Sequence, residues 1–161
     1  MKKFLAVCGG SLLTVLLLAV AVCAEEVKTA HFTLDLPVDW RKAHRVQAQP
    51  NGNTLAVVQS TKDDTIVGIR IMASTGPLRD ITTQTENKMR DNGCDVSEMR
   101  QVGDSYVVEF STGIGRGIRY FTSNGKLFSA VSILGKTLDT GKEFLQKQFK
   151  PVDPKLFPSS Y

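Results

Sequence analysis

Cysteine is scarce in this chain. Of three cysteines in 161 residues, Cys8 and Cys23 fall in the N-terminal apolar stretch, which leaves Cys94 alone beyond it. A single thiol cannot form an internal disulfide, so the domain must rest on an apolar core. With no CxxC partner and no histidine near it in sequence, Cys94 reads as a small apolar side chain buried at a strand start. The alternatives are a reactive thiol or an intermolecular bridge. Blocks of like charge are missing, which argues against nucleic acid as a partner. Only 13 glycines and 6 prolines are present, too few for a collagenous or low-complexity chain. A hydrophobic content of 42% with a net charge of +4 excludes intrinsic disorder. No repeat at solenoid or propeller periods is visible, and the length suits one domain.

The N-terminal stretch has the three-part layout of a secretory signal. Lys2 and Lys3 start it, an apolar run from Leu12 to Val22 follows with only Thr14 interrupting, and Val22-Cys23-Ala24 offers a cleavage site. The run is shorter than the roughly 20 residues a membrane-spanning helix requires. The expectation is a signal peptide over 1–24, removed after Ala24, and a single domain over 25–161. Retention as an anchor is the alternative, and so is lipidation of Cys23, since Val20-Ala21-Val22-Cys23 loosely resembles a lipobox. The destination is then periplasmic or secreted, with the membrane met only transiently unless Cys23 carries lipid. Removal of two lysines with the signal lowers the net charge by two, so much of the basic character belongs to the exported segment.

Beyond the signal, short runs of strand character alternate with turn signals. Phe32, Leu34 and Leu36 take one face of a first strand, His31 to Leu36, ended by Pro37. Lys42 to Gln49 is a weak strand candidate closed by the turn Pro50-Asn51-Gly52-Asn53. Leu55 to Ser60 follows, then Thr65 to Ala73, where Val67, Ile69 and Ile71 share a face. Ile66 and Met72 make the second face apolar too, except at Arg70, which suggests a sheet covered on both sides. Gly76-Pro77 and Asn92-Gly93 bracket a helix from about Leu78 to Asn92, with Leu78, Ile81, Thr85 and Met89 at helical spacing. Strands Asp95 to Val102, Tyr106 to Ser111, Arg116 to Thr122 and Leu127 to Leu134 come next, the last two joined by the turn Ser123-Asn124-Gly125-Lys126. Thr140 and Glu143 fit a capping box opening a second helix with Phe144, Leu145 and Phe149 as its stripe. Pro151 and Pro154 prevent its continuation, and the tail to Tyr161 is expected to be extended with a fraying end. Strands, helix, strands, helix, with hairpin-length connections, give an α+β class with a central, mainly antiparallel sheet covered by helices.

Two segments carry a family resemblance. Phe32-Thr33-Leu34-Asp35-Leu36-Pro37-Val38-Asp39-Trp40 resembles the opening F-x-x-x-x-P-x-x-W segment of the PsbP-like superfamily. The closing pattern is similar to that family's final hairpin and terminal helix: Tyr120-Phe121, Asn124-Gly125-Lys126, Leu127-Phe128, then Phe144-Leu145 and Gln148-Phe149-Lys150-Pro151. The resemblance covers the order of elements over the whole exported chain. It implies an α/β/α layered sandwich and a non-catalytic protein that binds or stabilises something else. Plant and cyanobacterial members support photosystem II, and others are bacterial envelope proteins. It carries over no functional residue.

Candidate chemistry is thin. A metal site needs three or four converging ligands. His44 is surrounded by Arg41, Lys42 and Arg45, and His31 has only Glu25 and Glu26 upstream on an end expected to be flexible. No metal or cofactor is expected. Glu109, on a strand, could act as an acid or base if partly buried, but cross-strand pairing with Arg116 or Arg119 is the simpler expectation. Gly113-Ile114-Gly115-Arg116-Gly117 is followed by a strand rather than a helix, so it is not a dinucleotide fingerprint. Its glycines fit a bulged or sharply bent hairpin, with Arg116 and Arg119 as candidate anion contacts. No G-x-S-x-G elbow is present. The leading expectation is a non-enzymatic binding or assembly module of the cell envelope with a protein partner. A small-ligand or anion carrier is the first alternative, requiring a cleft near the glycine-rich hairpin. An enzyme joining Glu109, Arg116 and a histidine is the second. An exposed aromatic patch, including Tyr161 or Phe157, would favour the protein partner.

Overall fold

Alternation of apolar and polar side chains dominates the chain beyond the N-terminal stretch, and it folds accordingly into strands. The computed structural model describes residues 25–49, 52–74 and 76–161. The expected signal peptide and the Pro50-Asn51 half of the first turn lie outside the described residues. The early strands are β1 (Glu25–Lys28), β2 (Phe32–Leu36), β3 (Trp40–Lys42), β4 (Gln47–Ala48), β5 (Thr54–Ser60) and β6 (Ile66–Ala73). Helix α1 (Leu78–Asp91) is followed by β7 (Asp95–Val96), β8 (Arg100–Val102), β9 (Ser105–Thr112), β10 (Gly115–Ser123) and β11 (Leu127–Gly135). Helix α2 (Asp139–Gln148), β12 (Phe149–Pro151) and a 3-10 turn at Pro154–Leu156 complete the chain.

The class is α+β with a mainly antiparallel sheet. A large sheet runs β3-β5-β6-β11-β10-β9-β7, with β4 also on β5 and β8 also on β9. A small sheet, β1-β2-β12, packs against one face of it. β1 was not expected: Glu25 and Glu26 pair with Leu36 and Asp35 rather than forming a loose end. The weak candidate strand at 42–49 resolves into β3 and β4, and the one at 95–102 into β7 and β8.

The first face of the large sheet is closed. Val58, Val67, Ile69, Ile71, Ile118, Val131 and Ile133 meet Phe32, Leu34, Leu36, Phe144, Leu145 and Leu156 in one continuous core. Trp40 stacks on Phe144 with centroids 3.8 Å apart and planes inclined by 17°, a contact that adds to the apolar area both rings bury. Gly141 lets α2 approach, since a Cβ there would lie 2.4 Å from Ile133 Cγ2.

Three local expectations about the C-terminal part are corrected. There is no capping box: Leu138 occupies the N-cap of α2 and makes no side-chain cap. The Thr140 hydroxyl donates instead to Asp63 Oδ2 at 2.7 Å, and Glu143 pairs with Lys147. The helix begins at Asp139, so Thr140 already lies in its first turn rather than at the N-cap position from which a side chain can accept from the third amide. Phe149 is not in the helix but is the first residue of β12, its ring lodged between Phe32 and Phe157. Nor does the tail fray: Val152 N–H donates to His31 O, Ser129 Oγ donates to Leu156 O, and Tyr161 packs edge-on against Tyr120. No helix among the described residues is long and apolar enough to cross a membrane.

Candidate functional site

The second face of the large sheet differs because of what its register puts side by side. Reading across β9, β10, β11, β6 and β5, one row is Val108, Arg119, Ser132, Gly68 and Val57. The next row is Tyr106, Phe121, Ala130, Arg70 and Leu55. Small residues thus occupy the middle of the face, and large ones its margins. A Cβ on Gly68 would meet nothing within 4 Å.

Helix α1 covers only one side of this face. Asn92 N–H returns to Lys88 O, and Gly93, at φ +80°, ends the helix as its sequence predicts. Thr82 and Thr85 turn their hydroxyls back onto carbonyls four residues earlier, which removes their polarity from the packed side. Leu78 and Ile81 pack with Val108, Phe121 and Phe128 beneath. Between α1 and the strands on the far side lies a groove of about 750 Å³. Its floor includes Leu55, Val57, Ile66, Gly68 and Leu134.

Arg119 stands inside this groove. Its Nε donates to Ser132 Oγ at 2.7 Å and its Nη1 to the Met89 sulfur at 3.2 Å. Its guanidinium carbon lies 5.6 Å from the Phe110 ring centroid, within cation–π range. Phe110 can lie there because its cross-strand neighbour is Gly117, where a Cβ would come within 2.1 Å of the ring. Burial lowers the Arg119 pKa from its ordinary value; the nearby Cys94 opposes that shift and Arg70 adds to it. The charge nevertheless persists, as for any protein arginine. Among the described residues neither Arg119 nor Arg70 forms an ion pair. Lys88 also lines the groove, and no aspartate, glutamate or histidine does.

The residues singled out in the sequence are therefore divided. Arg119 is in the groove. Glu109 lies opposite Ile118 and Arg116 opposite Ser111, on the other side of the strand alternation. Glu109 pairs with neither Arg116 nor Arg119: Arg100, from the flanking strand β8, takes it at 2.6 Å. The period of two separates Glu109 from Arg119, and the extra strand supplies a nearer cation than Arg116. Glu109 and Arg116 line a second, shallower hollow of about 350 Å³ with Asp95, Ser97 and Ser111. Neither histidine lines it: His31 Nε2 is 3.1 Å from Gly52 O, and His44 is exposed. No three His, Cys, Asp or Glu side chains converge as a metal site among the described residues.

The glycine-rich segment is a tight hairpin between β9 and β10. Gly115, at φ +154°, passes so close to Gly135 that a Cβ would lie 3.0 Å from its carbonyl oxygen. Sequence reasoning missed Gly68 and Met89 as site residues and placed Cys94 in the core. Cys94 is half-buried and lines the groove just before β7. Arg70, breaking the apolar second face of its strand, was the signal that could have found this site.

No family model matches the sequence, and no curated protein matches it.

Proposed function

We propose that this chain is an exported, non-enzymatic binding domain of PsbP-like layout, and that its ligand seat is the groove between α1 and the sheet. The observation that carries the reading is Arg119: a half-buried guanidinium without a carboxylate partner, in a groove lined by cations and apolar side chains. A polar group withdrawn from water without a strong partner is costly in a purely structural role, and a concave apolar site with a few convergent polar groups suits a small ligand. Binding rather than catalysis is what the resemblance of the Phe32–Trp40 and closing segments to a non-catalytic family implies.

The PsbP-like layout is supported by the order of elements and by α1 and α2 lying on opposite faces of the large antiparallel sheet. Export is supported by the N-terminal sequence, and a chain starting at Glu25 would keep the described pairing of Glu25–Lys28 with β2. An envelope protein partner is the weaker reading. Phe157 and Tyr161 pack inside the fold. The exposed apolar side chains Val38, Val102, Ile114 and Val152 come from separate loops and strands and give no aromatic patch.

The test is native isolation from exporting cells, followed by denaturation and mass spectrometry of the organic extract and of the intact chain. A small molecule in fixed ratio to the wild-type protein is expected, absent from Gly68→Leu, with a chain starting at Glu25. An empty extract and a protein retained in fixed ratio by both forms would overturn the reading in favour of an envelope partner. A chain starting at a modified Cys23 would place the same domain on a membrane surface.

A further inference from the structure

The composition of the groove restricts its ligand further. Arg70, Arg119 and Lys88 are three cations in one lining that contains no anion. Arg70 and Arg119 line the same groove, and the charge of Arg70 adds to the lowering of the Arg119 pKa. Arg119 spends Nε on a hydroxyl and Nη1 on a thioether, a weak acceptor. Its Nη2 donates to no described residue. The rest of the floor, Leu55, Val57, Ile66 and Leu134, is aliphatic and continuous with the open space above Gly68.

From these observations we infer that the groove takes a small amphipathic carboxylate, its head on Arg119 and Arg70 and its apolar body over Gly68 toward β5. This rests on the groove being the ligand seat. Nη2 of Arg119 and the exposed guanidinium of Arg70 can each donate a charge-assisted hydrogen bond to a carboxylate. A singly charged head sheds less hydration than a doubly charged phosphate on entering an apolar groove. A bare anion would leave the aliphatic floor uncovered, and a neutral amphiphile would leave both guanidinium groups unanswered. The bound head would offset the desolvation that Arg119 already carries.

Titration calorimetry of the full protein with decanoate, decanol, decyltrimethylammonium and inorganic phosphate tests this, alongside the rate of Cys94 alkylation read by peptide mass spectrometry. Decanoate should bind about tenfold or more tighter than decanol and should slow alkylation of Cys94. A charge-assisted hydrogen bond of the usual strength gives a factor of that size. Arg119→Gln and Arg70→Gln should each remove about that factor for decanoate and leave decanol unchanged. Gly68→Leu should weaken both. Arg70 is exposed, so its variant carries the test even if Arg119→Gln folds poorly.

Equal binding of decanoate and decanol, with Cys94 protected by both, would overturn the carboxylate inference and leave the groove as the ligand seat. Phosphate competing as well as decanoate would reduce the site to a bare anion contact and overturn the amphiphile. Failure of every probe to protect Cys94 would overturn the inference and the groove reading together.

Discussion

The two faces of the large sheet come from the same strands, residue by residue in alternation, yet they serve opposite ends. On the closed face Val67, Ile69, Ile71, Val131 and Ile133 are covered by α2, the small sheet and the C-terminal tail. On the open face Gly68, Arg70, Ser132 and Arg119 sit between them in sequence, and α1 covers only the β9–β10–β11 side. One face gains stability from close packing. The other keeps a groove and an uncompensated charge, both of which reduce stability and both of which a ligand can use. Natural proteins commonly place such concessions at functional sites.

Substitutions on matched positions can break or sharpen this contrast. The largest effect is expected on the closed face. Phe144→Ala removes the ring stacked on Trp40 and should cost about 3–5 kcal/mol in urea unfolding. A loss below about 1 kcal/mol would mean that α2 is not held by this core. Next comes Gly141→Ala. Alanine normally favours a helix, but here its Cβ would lie 2.4 Å from Ile133 Cγ2. A net destabilisation of about 1–3 kcal/mol is expected, and a stabilised variant would show that α2 can lift away freely.

Acid titration probes the seam where α2 meets the Lys62-Asp63-Asp64 turn. Burial alone would raise the Asp63 pKa, but hydrogen bonds from Thr140, Ser60 and Thr65 outweigh it and bring the value down from 3.8 to about 2. A carboxylate with a depressed folded-state pKa stabilises above its unfolded pKa, and the contribution disappears as pH falls from 3.8 toward about 2. Solvent screening at this surface turn limits it to about 1 kcal/mol. Thr140→Val should accordingly lower stability at pH 7 by about that amount and by less at pH 2. Equal losses at both pH values would show that the bond matters for packing rather than for charge.

On the open face the expected signs reverse. Arg119→Met replaces a desolvated, unpaired guanidinium with an apolar chain and should raise stability by about 1 kcal/mol while removing carboxylate binding. A destabilised variant would reveal a structural need for the charge. The smallest effect belongs to Gly68→Ala, whose Cβ enters open space and should stabilise the strand by about 0.5 kcal/mol. If this change and Gly141→Ala cost the same, the contrast between the faces is lost.

Legibility in the sequence followed the range of the interactions involved. Pro77 and the Asn92-Gly93 stop placed α1 within one residue of its observed end, because helix boundaries obey local backbone geometry. The alternating runs placed β2, β5, β6, β9, β10 and β11 for the same reason. The capping box at Thr140 failed because the helix starts one residue earlier, at Asp139, and the Thr140 hydroxyl instead donates to Asp63, 77 residues away in sequence. The pairing of Glu109 failed because β8, which supplies Arg100, was read as one strand with β7.

The candidate site shows the same division. The sequence alone determined that the strand around Val67 has two apolar faces interrupted at Arg70, that the N-terminus has the layout of an export signal, and that one cysteine lies beyond it. Tertiary structure alone decided that Arg119, Ser132 and Gly68 lie in one row, that Phe110 rests over Gly117, and that α1 stops short of β5 and β6. Alternation is a property of each strand by itself, written in its residues. Which rows become neighbours depends on strand register and order, set by the burial of the whole core, and no single strand encodes it.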